Sequence, residues 1–161
     1  SPYDRYRMCW GTHTCHMGVV KALKALAEVS PAERSTEVER AIAQGVEYLL
    51  AHHIYRRSHD LSRVAKPDWL QFGFPLGWRT DLLEILDILN RLGCVDPRMD
   101  DAIEVVRRKR VAPGQWKLRS TPGKQLPAKF EARGEPSRWI TRRALTVLKN
   151  HAELLSNALL S

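Results

Sequence analysis

The sequence has few cysteines and no long apolar run, and each shortage excludes a class of protein. Its 161 residues include three cysteines, an odd number at irregular spacing, which does not fit a secreted disulfide framework. No apolar stretch approaches the roughly 18 to 20 residues that span a bilayer, and the N-terminal residues lack the apolar core of a signal peptide. These features predict a reducing, cytoplasmic setting and no membrane span.

Acidic residues are also in short supply, with 18 against 26 basic ones, which gives a formal net charge of +8 at pH 7. Such an excess occurs in proteins that bind nucleic acids, anionic lipids or phosphorylated ligands. The basic residues are scattered, and their densest run covers only residues 107–110. This distribution favours solvated helix faces, so nucleic acid is not the expected partner.

Apolar residues three and four positions apart predict an amphipathic helix over residues 14–28. Thr36 followed by Glu39 matches a capping box, which predicts a second helix over residues 37–52. Because the connection between the two helices is short, they are expected to form a helical hairpin.

Residues 53–77 lose this periodicity and are rich in aromatic residues, histidine, proline and glycine. A structureless stretch of this length is uncommon in a compact domain unless it is functional. We therefore predict a functional loop whose Trp69 and Phe72 fold back onto the helices. His59, beside Asp60, is its candidate general base or ligand-binding residue.

The stretch over residues 78–116 predicts a complete helical hairpin. Its first helix is apolar nearly all round, which is typical of an inner helix covered by others. Gly93 is expected to end this helix in a left-handed cap, and Asp96-Pro97 to begin an outer helix over residues 98–110.

The first helices of three units align on residues 22–23, 85–86 and 144–145. A third inner helix is predicted over residues 137–148, after a loop over residues 111–136. Repeated hairpins of this kind bury their apolar faces against neighbouring units. The sequence thus predicts one helical-repeat domain over residues 1–161, with about two and a half hairpins, as a fragment or C-terminal part of a longer chain.

Residues 102–116, ending Pro-Gly-Gln-Trp, resemble the repeat of squalene cyclases and protein prenyltransferase beta subunits. The whole chain resembles bacterial proteins that carry prenyltransferase and squalene-oxidase repeats, notably over residues 13–15, 74–75, 80–86 and 136–141. This resemblance implies an all-α fold of the alpha/alpha toroid type, here an incomplete barrel. It also implies an isoprenoid-like or other apolar ligand in a cavity at the inner-helix ends.

The catalytic motifs of these families are not found in this sequence. It has no Asp-x-Cys motif, which protein prenyltransferases use to hold zinc, and its adjacent aspartates Asp100 and Asp101 fall in a predicted first helical turn, where carboxylates stabilise the helix dipole. An enzyme of the prenyl-transfer or terpenoid-cyclase class therefore stays one hypothesis. A non-catalytic scaffold of the same fold, which self-associates or binds the remaining repeats, is the other.

An arginine beside a helix N-terminus is suited to hold a phosphate or carboxylate, because free backbone amides there favour an anion. Arg79 and Arg138 are thus expected to meet the head of a prenyl diphosphate, while Asp81 either joins the site or caps its helix and pairs with Arg79. The predicted ligand-binding residues are Trp78, Arg79, Asp81, Arg138, Trp139 and His59.

Thiol and imidazole groups, the ligands that zinc prefers, cluster near the N-terminus at Cys9, His13, Cys15 and His16. Cys15 and His16 are neighbours, however, and neighbouring side chains diverge by about 100° on a helix. The cluster predicts either a zinc site or a group of partly buried thiols and hydrogen-bonded imidazoles at a helix start.

Overall fold

The computed structural model describes residues 14–122 and 131–160. These residues contain five α-helices and two small antiparallel sheets, which agrees with the predicted helical class and adds four short strands. The helices are α1 (His16–Leu26), α2 (Thr36–Ala51), α3 (Leu82–Arg91), α4 (Asp100–Arg108) and α5 (Arg138–Leu160). The strands are β1 (Arg56–Arg57) with β2 (Asp60–Val64), and β3 (Trp116–Lys117) with β4 (Pro136–Ser137).

Helix α3 lies at the centre of the core. It contacts α1, α4 and α5, and α1 also pairs with α2, so the two predicted hairpins are present. The expectation of an inner helix is confirmed, because its apolar side chains are no more than 1% exposed: Leu82, Leu83, Ile85, Leu86, Ile88 and Leu89. Among the described helices, none combines the length and apolar character needed to cross a membrane.

Two helix ends follow from local side-chain and backbone chemistry. The Ser35 hydroxyl accepts the backbone N–H of Val38 at 3.4 Å, so Ser35 caps α2. The predicted cap at Thr36 is wrong by one residue, because Ser35 also carries a hydroxyl group and caps the helix without a glutamate three residues later. Gly93 follows α3 with a φ of +73°, as the predicted left-handed cap requires.

The two C-terminal helices differ from prediction mainly in their bounds. Asp96 accepts the backbone N–H of Arg98 at 2.8 Å, but a 3-10 turn over Pro97–Met99 comes first, so α4 begins at Asp100. Helix α5 continues to Leu160 without a break, whereas the sequence pattern left it open whether the tail continues the helix or restarts it.

Residues 53–77 contain the β1–β2 hairpin and a 3-10 turn over Pro67–Leu70, so the prediction of a structureless loop is wrong. The hairpin has no alternating apolar pattern: β1 is two residues long and β2 is mostly exposed. Trp69 and Phe72 are 9% and 2% exposed, which confirms that these aromatic side chains fold back onto the helices.

The Gly-Gln-Trp turn joins the second hairpin to α5. Trp116 is fully buried, its indole N–H donates to the carbonyl of Val106 at 2.7 Å, and its backbone N–H donates to the hydroxyl of Thr141 at 3.0 Å. Trp116 thus ties the last turn of α4, through its side chain, to the first turn of α5, through its backbone N–H.

Candidate functional site

Asp81 lies at the N-terminus of α3 and is 1% exposed. Its carboxylate accepts the backbone N–H groups of Glu84 and Gly73, both at 2.9 Å. Arg143 of α5 donates to both carboxylate oxygens, at 2.8 and 3.2 Å, and to the carbonyl of Gly73 at 2.9 Å. Asp81 is therefore saturated and anchors the fold; it caps its own helix, but its ionic partner is Arg143 and not Arg79.

A cleft of about 340 Å³ lies next to this anchor, since Thr80 is one of its lining residues. Its walls come from the start of α1, the 3-10 turn over residues 67–70, the segment over residues 76–80 and the loop that follows β3. Cavities of about 300–1,000 Å³ hold small molecules in known proteins, so the cleft is large enough for one small ligand.

Cationic side chains dominate the charge of the cleft: its described lining includes Lys66, Arg79, Arg119 and Arg133, and Asp68 as the single carboxylate. In the described parts of the chain none of these four cations forms an ion pair. Arg79 donates instead to the backbone carbonyl of Thr121 at 3.4 Å. The described lining of the cleft therefore carries a net positive charge, of which Asp68 offsets one of four.

A fifth cation, Lys109 at the end of α4, lies close to the same group. Its ammonium nitrogen is 5.6 Å from the ring centroid of Phe72. Burial, and then the positive charge of Arg119, lower the pKa of Lys109. Burial is the main cause of this pKa shift, and the positive charge of Arg119 adds a smaller effect in the same direction.

Two tryptophans border the cleft in different ways. Trp69 is nearly buried and stacks on His16, with ring centroids 4.1 Å apart and an interplanar angle of 23°. Trp78 is 67% exposed, and the guanidinium carbon of Arg79 is 5.7 Å from its ring centroid. The cleft thus combines one fixed aromatic wall with one accessible indole beside a cation.

His16 supports Trp69 from behind. Its ring is 5.7 Å from that of Tyr48 and 5.5 Å from that of His52, and neither ring nitrogen has a hydrogen-bond partner among the described residues. Burial, and then the charge of His52, lower the pKa of His16 to about 4. His16 is therefore neutral at neutral pH and acts as an aromatic packing group, without the hydrogen bonds that the sequence suggested.

We expect acid to destabilise the protein through His16. The pKa of His16 is 6.5 in the unfolded chain and about 4 in the folded chain. The stability that this difference provides is fully present above the unfolded-state pKa and is lost as the pH falls towards the folded-state pKa. Between about pH 7 and about pH 5 the loss should be about 2 kcal/mol. Urea unfolding at both pH values should show a smaller acid loss for His16→Phe, which keeps the aromatic stack.

His59→Gln is the matched control, because His59 is exposed at the turn between β1 and β2. This variant should keep the acid loss of the wild-type protein. An equal acid loss in His16→Phe and wild type would contradict the role given to His16.

The structure describes two of the four residues of the predicted metal cluster. Cys9 and His13 lie outside the described residues. Cys15 is a half-buried free thiol, and His16 packs among aromatic rings. Over residues 14–122 and 131–160, no group of three or more histidine, cysteine, aspartate or glutamate residues is placed to hold a metal ion.

Three of the predicted ligand-binding residues lie elsewhere. The side chain of Arg138 is 94% exposed and lies 3.8 Å from a carboxylate oxygen of Glu131. Trp139 stacks on Phe74 with ring centroids 4.6 Å apart, and His59 is exposed. The described lining of the cleft includes neither these three side chains nor that of Asp81, so two of the six predicted residues, Trp78 and Arg79, meet there.

No family model, curated protein or solved structure matches this chain. The resemblance to prenyltransferase and squalene cyclase repeats therefore remains a prediction made from the residues. The geometry of the cleft alone carries the functional argument.

Sequence reasoning missed Arg119 and Arg133, which line the cleft, and Arg143, which holds Asp81. A signal was present for Arg119, because the stretch between Glu104 and Glu131 contains eight basic residues and no acidic one. The long-range pairing that brings Arg119 to the cleft could not be read from periodicity.

Proposed function

We propose that the protein binds a small organic anion with a phosphate-type head in the cleft lined by Lys66, Arg79, Arg119 and Arg133. The proposal rests on one observation: four cations from separate segments line the same cleft, together with one carboxylate. Arginine presents a planar fork of donors that matches phosphate oxygens, and charge-assisted hydrogen bonds of this kind are strong and directional.

The energetic argument for an anion rests on the cost of crowding like charges. The four cations are exposed, and grouping charges of one sign along one concave surface creates a positive potential and mutual repulsion there. Asp68 offsets one of the four charges at most. An anionic ligand would remove this repulsion, and the local structure would be more stable with the ligand than without it.

A prenyl diphosphate, which the family resemblance implies, belongs to this class of ligand. In the proposed site its head would meet Arg79 together with Arg119 and Arg133, in place of Arg138. We propose that the cleft binds this ligand and does not transform it, since its cations and aromatic walls are groups that hold an anion and an apolar or flat group.

We also propose the toroid-type arrangement, with α1, α3 and α5 as inner helices and α2 and α4 as outer ones. In support, α3 contacts both α1 and α5, while α2 pairs with α1 and α4 with α3. The cleft lies at the N-terminal ends of α1 and α3, where Met17 and Thr80 line it. This position matches a cavity at the inner-helix ends.

Self-association through α5 has weaker support. Its exposed leucines are Leu145, Leu155, Leu159 and Leu160, at 49%, 37%, 86% and 87%. Even the larger aromatic side chains bury only about 150–250 Å² each. Four partly covered leucines therefore offer less apolar surface than a standard interface needs, which is about 800 Å² per partner.

Isothermal titration with inorganic diphosphate at low ionic strength tests the proposed function. Arg119→Gln and Arg133→Gln should each weaken binding about tenfold or more, because a hydrogen bond to a charged group contributes about 1.5–3 kcal/mol. The matched control is Arg40→Gln, an exposed arginine of α2 that does not line the cleft.

Binding should also weaken steeply as salt is added, since the contacts are between charges. The proposal fails if the wild-type protein shows no binding at high micromolar diphosphate. It also fails if Arg40→Gln weakens binding as much as Arg119→Gln does.

A further inference from the structure

Trp78 is the most unusual side chain of the cleft, because a large aromatic ring is left 67% exposed at its rim. Leaving an indole in water forfeits its favourable burial, and an exposed apolar surface within a binding cleft usually marks a contact with a ligand. The exposure has a local cause: Gly77 takes a φ of +56°, which turns the chain so that Leu76 and Trp78 both line the cleft.

The segment that presents Trp78 is held on both sides. The backbone N–H of Arg79 donates to the carbonyl of Leu76 at 3.0 Å and closes the turn. The carbonyl of Arg79 accepts from the ammonium group of Lys21 at 2.7 Å, and the same ammonium group pairs with Glu84. Trp78 therefore extends from an ordered turn, so little conformational entropy is lost when a flat molecule stacks on it.

The other residues of the cleft suit a polar ligand better than a long hydrocarbon. Of the thirteen described residues that line it, four are apolar: Met17, Trp69, Leu76 and Trp78. A prenyl chain would cover polar side chains without giving them hydrogen bonds, and each such loss costs about 1–3 kcal/mol. The hydroxyl and amide groups of Ser120, Thr121 and Gln71 instead match the hydroxyl groups of a sugar and the edge of a heteroaromatic ring.

We infer that the ligand of the cleft is a nucleotide, with its phosphate groups on the arginines and its base stacked on Trp78. This inference rests on the proposed function, since the same cleft supplies the phosphate contacts. Stacking on an aromatic side chain contributes about 1–3 kcal/mol per base and tolerates any base, so the inference names the class of ligand and not the base.

The test compares four ligands by isothermal titration: inorganic diphosphate, dimethylallyl diphosphate, a nucleoside diphosphate, and a short single-stranded oligonucleotide of the same base. The nucleoside diphosphate should bind at least fivefold more tightly than inorganic or dimethylallyl diphosphate, because only it can stack. Trp78→Leu should remove this preference, because the base of the nucleoside diphosphate can then no longer stack. Trp139→Leu is the control, since Trp139 is a second exposed tryptophan outside the lining of the cleft.

Each outcome separates the two proposals. Equal affinities for the three diphosphates, or a preference for dimethylallyl diphosphate, would overturn the nucleotide inference and leave anion binding in place. No binding of any ligand would overturn the proposed function itself. If the nucleoside diphosphate is preferred, the oligonucleotide shows where the nucleotide comes from. Tighter binding of the oligonucleotide than of the nucleoside diphosphate assigns the site to a nucleotide within a single strand. Equal or weaker binding of the oligonucleotide assigns it to a free nucleotide.

Discussion

Replacement of Asp81 by alanine should lower the free energy of unfolding by about 3–5 kcal/mol, which is the usual effect of removing one partner of a buried ion pair. The change leaves the guanidinium group of Arg143, whose side chain is 23% exposed, without its carboxylate. It also removes the cap of α3 and the acceptor for the N–H of Gly73. Domains are commonly stable by about 5–15 kcal/mol, so much of the total would be lost.

Guanidinium unfolding followed by tryptophan fluorescence measures this effect. Asp100→Ala is the matched control, because Asp100 is an exposed carboxylate in the first turn of α4 and should contribute well under about 1 kcal/mol. The double variant Asp81→Ala with Arg143→Leu should be less destabilised than the sum of the two single changes, since it no longer buries an unpaired charge. An effect of Asp81→Ala no larger than that of Asp100→Ala would rule out the anchoring role.

Trp116→Ala should destabilise the protein by a similar amount, about 3–5 kcal/mol, because it removes a fully buried aromatic side chain and leaves a cavity between α4 and α5. Trp116→Phe keeps most of the ring but removes the donor to the carbonyl of Val106, so its cost should be about 1–3 kcal/mol.

Thermal unfolding measured by calorimetry distinguishes these two variants. Trp139→Ala serves as the control, because Trp139 is 41% exposed and stacks on Phe74 at the surface, so its loss should cost less. If Trp116→Ala and Trp139→Ala unfold at the same temperature, the turn does not tie the two helices together as described.

Much of the helical framework could be predicted, because helices leave a periodic signal that needs no distant partner. Helix α3 is the clearest case: its nearly continuous apolar sequence allowed only an inner position, and Gly93 could end it without reference to any other segment. The β1–β2 hairpin was missed because two short strands without an alternating apolar pattern leave no such signal.

The cleft could be predicted only in part, since most of its cations lie outside the segment before α3. Trp78 and Arg79 were found because they precede a predicted inner helix. Arg119 reaches the cleft through backbone pairing of Gly73 with Ser120, a contact between two loops that carries no periodic pattern. The role of Asp81 was left open for a related reason, because its partner lies 62 residues later in the chain.

The pairing of Asp81 with Arg143 also has a consequence for how this protein can evolve. The buried carboxylate of Asp81 and the guanidinium of Arg143 together hold the backbone of Gly73. An added Cβ at Gly73 would lie 3.1 Å from the carbonyl oxygen of Ser120. The cations of the cleft lie outside this pair, and among the described residues their one side-chain hydrogen bond is from Arg79 to the carbonyl of Thr121. Mutation of Lys66, Arg119 or Arg133 can therefore change the charge of the cleft without removing a side-chain hydrogen bond of the described fold.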